Sequence, residues 1–153
     1  EFRENYCNAE KNRRVVTYLY DYVFLPLGFG GGLMRELGRH FVFELFGCDP
    51  QGLDDLKGIQ DAMERGAEDA GMRVLGRVFH KFSPQGVTGV VIIAESHIAI
   101  HTWPELGYAA VDVFTCSTNT DPMKAFERLK GVLKPKSMTV MELKRGLFMG
   151  DKV

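Results

Sequence analysis

From Arg39 to Lys144 the chain divides into short apolar runs and two segments with helical spacing. "RHFVFELFG" (Arg39 to Gly47) is β-rich and bounded by Gly38 and the turn "GCDPQG", which predicts a strand. From Leu53 to Gly71, Leu56, Ile59 and Met63 recur at spacings of three and four with charges between them, predicting an amphipathic helix closed by Gly71. "RVLGRVFHKF" (Arg73 to Phe82) alternates as a strand should, "SPQG" turns the chain, and "VTGVVIIA" (Val87 to Ala94) has the nearly unbroken apolar character of a central strand. "HIAIHTW" and "YAAVDVFTC" follow as strands joined by "PELG". Asp121 and Pro122 open a second helix with the stripe Met123, Phe126, Leu129 and Val132, and "SMTVMELK" (Ser137 to Lys144) closes as a strand. The connections between Arg73 and Cys116 are too short for crossover helices, so those strands run antiparallel. The predicted fold is α+β, a two-layer sandwich whose mostly antiparallel sheet carries two helices on one face.

Alternation then sorts the side chains. His97, Ala99 and His101 share one face of their strand, opposite Ile98 and Ile100. Tyr108, Ala110, Asp112, Phe114 and Cys116 share one face of the next, opposite Ala109, Val111 and Val113. The aliphatic rows belong against the helices, which turns the histidines, the aspartate and the cysteine away from that core. Ser96 has the wrong parity to join His101, so the chain should turn at Glu95–Ser96.

Composition narrows the class. An apolar content of 45%, a charged content of 25% and a net charge of −1 describe an ordinary globular domain, with no basic stripe for nucleic acid and no pull towards a membrane surface. Cys7, Cys48 and Cys116 make an odd count without CxxC spacing, which argues against a disulfide framework or structural zinc and suits a reducing, cytoplasmic setting. Residues Val15 to Phe29 are apolar and follow Arg13 and Arg14, in the manner of a signal peptide. Asp21 interrupts them, they are too short to span a bilayer, and no A-x-A site follows. "GFGGG" (Gly28 to Gly32) reads as a flexible break, so residues 1–33 are expected to form an extension and 34–153 the domain.

The cluster around Ser96 admits three readings on residue types alone. A zinc site from His97, His101 and Cys116 lacks an obvious fourth ligand, which weighs against it. Polar groups satisfied at a sheet edge and a Cys116–His101 nucleophile pair stand level, and spacing does not choose between them.

The stretch "AESHIAIHTWPELGYAAVDVFTC" (Ala94 to Cys116) closely resembles the core motif of bacterial and archaeal S-adenosylmethionine decarboxylase proenzymes. "GRHFVFELFGCDP", "FHKFSPQGVTGVVIIAESH" and "VMELKRG" resemble the same family, so the likeness spans Leu37 to about Gly146. It implies a zymogen that cuts itself between Glu95 and Ser96. Residues 1–95 become a β chain, and Ser96 to Val153 an α chain that starts with a pyruvoyl group made from Ser96. That ketone is the cofactor: it joins the substrate amine as a Schiff base and takes up the electrons when carbon dioxide leaves.

By the same resemblance His101 removes the α proton of residue 96, imidazole being suited to proton transfer near neutral pH. Thr88, where the family usually has serine, assists the acyl shift. Cys116 protonates the substrate carbon, Phe82 stacks on adenine, and Glu105 holds the ribose hydroxyls. Trp103 either contacts substrate or only packs, His97 is structural, and Cys7 and Cys48 need no function. Ser117 stands where glycine is common and Leu106 where tyrosine is common; neither touches the proposed chemistry. The implied protein is a homodimer of processed αβ units with active sites near the subunit interface, acting on S-adenosylmethionine for spermidine synthesis. A pyruvoyl-dependent arginine decarboxylase on the same core is the alternative. An unprocessed regulatory paralogue would be expected to have lost Ser96, His101 or Cys116, and all three are present.

Overall fold

The structure is a computed structural model that describes residues 34–94 and 96–149. The expected extension over residues 1–33, with Cys7, lies outside the described residues, as does Glu95. Six strands form one sheet: β1 (Met34–Phe46), β2 (Val74–Lys81), β3 (Val87–Ile93), β4 (Ser96–Trp103), β5 (Tyr108–Thr115) and β6 (Ser137–Met149). Their order across the sheet is β2-β3-β4-β5-β1-β6, and every neighbouring pair is antiparallel.

Among the described residues three α-helices accompany the sheet: α1 (Pro50–Leu53), α2 (Leu56–Asp69) and α3 (Pro122–Leu133). The core lies between one sheet face and the helices α2 and α3. Phe43, Leu45, Val91, Ile98, Ile100, Val111 and Val113 from the strands meet Ile59, Met63, Phe126 and Leu129 from the helices, all nearly inaccessible to water. Phe43 stacks on Phe126 with ring centroids 4.4 Å apart and the planes 15° from parallel. These are the aliphatic rows that alternation assigns to the helix side. The arrangement is the α+β sandwich expected, with its two long helices on one face.

Two boundaries differ from expectation. The helix predicted as one piece from Leu53 to Gly71 is broken at Asp54–Asp55. Asp49 caps α1 by accepting the Gln51 N–H, Pro50 takes its first position, and Asp55 caps α2 by accepting the Gly58 N–H at 2.9 Å. The carbonyls of Leu53 and Asp54 do not continue a helix. They accept from the Thr102 hydroxyl at 2.8 Å and the Lys81 ammonium at 2.9 Å. The edge pair is also longer than predicted: β1 starts before Gly38, and β6 runs past Lys144 to Met149. Gly38 does not end the strand. A Cβ there would sit 2.6 Å from Phe114 Cε2, so the glycine makes room for that ring.

Where α2 crosses α3, Gly66 is the contact. A Cβ on Gly66 would lie 2.2 Å from the Ala125 carbonyl oxygen, inside any permitted approach. Gly66→Ala should therefore push the helices apart and cost about 1–3 kcal/mol, as overpacking does. Gly131 in α3 has nothing within 4 Å of an added Cβ, so Gly131→Ala should be neutral or stabilise by up to about 1 kcal/mol through helix propensity. Urea denaturation of both variants checks the contrast; equal effects would contradict the packing.

Candidate active site

The register of β4 decides where each chemical group can act. Ser96 opens the strand opposite Ile93, so the chain reverses between those two residues, as expected at Glu95–Ser96. Ser96 is half-buried, and its parity places it on the side of Ile98 and Ile100. His101 pairs with Thr88 on β3 and with Ala110 on β5, on the opposite side. At a rise of about 3.3 Å per residue, five positions separate Ser96 from His101 by about 16 Å.

Two groups of candidate residues result. Near the start of β4 are Ser96 and Cys116; the thiol is exposed and follows the last residue of β5, whose Phe114 pairs with His97. Near the end of β4 are Thr88, His101, Trp103, Phe82 and Glu105. Thr88 Oγ1 and His101 Nδ1 lie 2.9 Å apart in a hydrogen bond. The His101 ring also sits 6.2 Å from the exposed Trp103. Phe82 is half exposed, with its ring edge-on to His80 at 4.8 Å. Glu105 lies in the 3₁₀ turn Pro104–Leu106 and accepts a long bond, 3.4 Å, from Gln85 Nε2.

Within one chain the fold thus brings Thr88 to His101 and Cys116 towards Ser96, and it keeps the two groups apart. The Cys116–His101 nucleophile pair is not assembled in one chain. The zinc reading fails for the same reason, since His97 and His101 stand four positions apart on one strand, about 13 Å, with Cys116 beyond.

No helix among the described residues lies over the sheet face that carries the histidines. His97 packs edge-on to Phe114 and His40, at 6.1 and 6.4 Å between ring centroids. His40 Nε2 faces Asp112 Oδ1 at 3.2 Å, outside hydrogen-bond alignment, while Arg145 donates to His40 Nδ1 at 3.2 Å. Further along, the Tyr108 hydroxyl donates to the Glu44 carboxylate, and Tyr108 stands between Phe46 and Trp103 at 5.3 and 5.2 Å. Burial and the negative charge of Glu44 hold the Tyr108 phenol well above its usual range. Val78, Ile92, Trp103, Phe46 and Leu143 remain exposed on this face.

Sequence reasoning missed the groups that support the second cluster. Thr102 occupies a core-facing position and is buried. Its hydroxyl accepts the Val87 N–H at 2.7 Å and donates to the Leu53 carbonyl. Asp54 Oδ1 accepts the Gly86 N–H at 3.0 Å, and its Oδ2 pairs with Lys81 Nζ at 3.0 Å. One signal for Thr102 was available: a hydroxyl at an aliphatic parity position needs a buried partner.

A sequence model of the S-adenosylmethionine decarboxylase family matches residues 39–146. The chain belongs to the S-adenosylmethionine decarboxylase family. It is 55% identical over 115 residues to the S-adenosylmethionine decarboxylase proenzyme of Caldicellulosiruptor saccharolyticus, covering 75% of this chain and 93% of the relative. A proenzyme of the same name from Carboxydothermus hydrogenoformans is 53% identical over 118 residues, covering 77% and 93%. The crystal structure of the adenosylmethionine decarboxylase from Aquifex aeolicus VF5 superposes with a TM-score of 0.68 at 35% identity, over 78% of this chain and 98% of that one. No helix among the described residues is long and apolar enough to cross a membrane.

Cys48 braces the turn that ends β4. Its N–H donates to the Gly107 carbonyl at 2.8 Å, and Gly107 takes a left-handed φ of 59°. Burial pushes the Cys48 thiol up from 9.0 to about 11. The unfolded thiol ionises first, so the stability held in this group is complete below pH 9 and is lost as pH rises towards 11. Between those values the wild type should lose stability faster than Cys48→Ala, by at most about 1.4 kcal/mol per pH unit. Denaturant melts across that range measure the difference; identical slopes would contradict it.

Proposed function

We propose that the chain cuts itself between Glu95 and Ser96, turns Ser96 into a pyruvoyl group, and uses that group to decarboxylate S-adenosylmethionine. The protein is an S-adenosylmethionine decarboxylase, a carboxy-lyase. Arginine decarboxylation is not favoured, because the relatives named above are S-adenosylmethionine decarboxylase proenzymes. The observation that carries the processing scheme is the hydrogen-bonded Thr88–His101 pair, together with Ser96 placed as the first residue after a chain reversal.

In the scheme Ser96 Oγ attacks the Glu95 carbonyl carbon, and the amide becomes an ester. His101 then removes the residue-96 α proton. For that role its Nδ1–H donates to Thr88 Oγ1, which leaves the Nε2 lone pair free. The Glu95 carboxylate departs, and water converts the remaining dehydroalanine to the ketone with loss of ammonia. Ser96, half-buried at a strand end, suits a group that must be made in place and then reached by substrate. When present, the pyruvoyl ketone supplies an electron sink for decarboxylation. Cys116 holds the proton for the substrate carbon, Phe82 and Glu105 bind the adenine and ribose, and Trp103 flanks His101.

Two copies complete the site. Ser96 and Cys116 stand at one end of the sheet, and Thr88 and His101 at the other. A twofold axis across the strands would stack the open, partly apolar faces and bring the end of β4 that starts at one copy's Ser96 over its partner's His101. Such an isologous pairing forms two equivalent sites. The reading includes spermidine synthesis and a cytoplasmic setting, the latter supported by the odd number of cysteines.

Intact-mass measurement should resolve the purified chain into residues 1–95 and 96–153, with carbon dioxide released from carboxyl-labelled S-adenosylmethionine and not from arginine. Ser96→Ala and His101→Ala should each stay uncut when made alone. Co-expressed, they should form hybrid dimers in which only the His101→Ala chain is cut, because it keeps Ser96 and meets an intact His101. No cutting in the mixture would sink the shared site. Cut Cys116→Ala should turn over slowly and accumulate alanine at the start of its α chain, read by N-terminal sequencing. Normal turnover with an unchanged N-terminus would remove Cys116 as the proton donor.

A further inference from the structure

The loop that joins β2 to β3 carries Phe82, and both of its stems are tied to one carboxylate. Lys81, before the loop, donates from Nζ to the Asp54 backbone carbonyl at 2.9 Å and pairs with Asp54 Oδ2 at 3.0 Å. Gly86, after it, donates its N–H to Asp54 Oδ1 at 3.0 Å. Between these stems the Phe82 N–H donates to the Gly86 carbonyl at 2.8 Å. Gly86 has a φ of +106°, and a Cβ there would lie 3.1 Å from the Thr102 carbonyl. Gln85 then reaches Glu105 at 3.4 Å, which couples the loop to the other proposed substrate contact.

Asp54 is held for this task. It lies in the break between α1 and α2, and the buried Thr102 hydroxyl fixes the carbonyl of the preceding Leu53. We infer that Asp54 is a positioning residue that sets the Phe82–Gly86 loop for the nucleoside end of the substrate; this rests on the reading of Phe82 and Glu105 as adenine and ribose contacts. The Gly86 N–H and the Lys81 ammonium also hold the Asp54 carboxyl below the usual carboxylate range, so it remains an acceptor across the neutral range.

The thermodynamic consequence separates binding from chemistry. If losing the clamp leaves the loop in its binding geometry about one-tenth of the time, the apparent affinity falls about tenfold. Bound substrate restores the geometry, so the step after binding is unchanged. Self-cleavage uses Ser96, Thr88 and His101 and should also be unaffected.

The test is calorimetric binding of 5′-methylthioadenosine to the purified chain, which carries the nucleoside and thioether but no reactive amine. Asp54→Ala should raise its Kd about tenfold. The same variant should raise KM for S-adenosylmethionine to a similar extent, with kcat within about twofold and the cutting rate unchanged. Asp54→Asn, which keeps an acceptor for the Gly86 N–H, should recover most of the loss. Asp61→Ala breaks an exposed pair with Lys57 on the same helix and should leave Kd as it was. Should Asp54→Ala fail to fold, Lys81→Met frees one stem alone and should weaken binding about threefold. Unchanged affinity in Asp54→Ala, or in Lys81→Met if that is the variant measured, overturns the inference; so does an equal loss in Asp61→Ala. If the unaltered chain fails to bind 5′-methylthioadenosine, the substrate reading itself falls, and the inference with it.

Discussion

β4 is hydrogen-bonded along both edges, to β3 and to β5, and this double pairing leaves its side chains no freedom to change face. A slip of one residue would move Ile98 and Ile100 out of the core and turn His97 and His101 into it. The buried aliphatic rows on β3 and β5 oppose any such slip. The same register carries Ser96 to one end of the sheet and Trp103 to the other. One constraint therefore fixes which side chains are available for chemistry, which face is left open, and how far apart the two clusters stand. The Thr88–His101 bond is a direct product of it, since those residues are cross-strand partners.

Much of this was legible in the chain, and the limits have physical causes. Alternation from His97 to Cys116 sorted the two faces correctly because each strand is half-covered, and a half-covered strand writes its burial into every second residue. Asp121–Pro122 marked the start of α3 because capping is a local interaction. The break at Asp54–Asp55 was hidden because its cause is tertiary: Thr102 and Lys81 claim the carbonyls that a continuous helix would have used. Gly38 was misread for a similar reason. A glycine signals a strand end only when nothing needs the space, and here the Phe114 ring does.

Parity also says nothing about distance along a strand. The motif around Ser96 reads as one compact set of reactive residues, yet the structure spreads it over the length of β4. A nucleophile and its base five positions apart in sequence share neither a face nor an end. That separation turns the uncovered face from an oddity into a requirement of the proposed chemistry. A sheet that left Val78, Ile92 and Trp103 exposed for no purpose would carry an association hazard. In the proposed homodimer a second copy would cover the patch and complete the site in the same act.

The proposed self-cutting puts a further demand on the fold. The proposed break falls in the connection between β3 and β4, two neighbouring central strands, and a cut there could let the sheet come apart. What holds the halves together is already in place before the cut. The ladder from Ile93–Ser96 to Thr88–His101 spans the whole of β4's contact with β3, and Val91, Ile93, Ile98 and Ile100 are all buried beneath the helices. A cut makes the pairing of the two halves bimolecular, which costs about 4–15 kcal/mol at 1 M standard state, and the burial of these four aliphatic side chains, about 1.5–3 kcal/mol each, works against that cost. A chain that makes its cofactor from its own backbone needs its scissile bond where pairing and burial hold the two halves together. A short turn between two strands already locked by register and core meets that requirement.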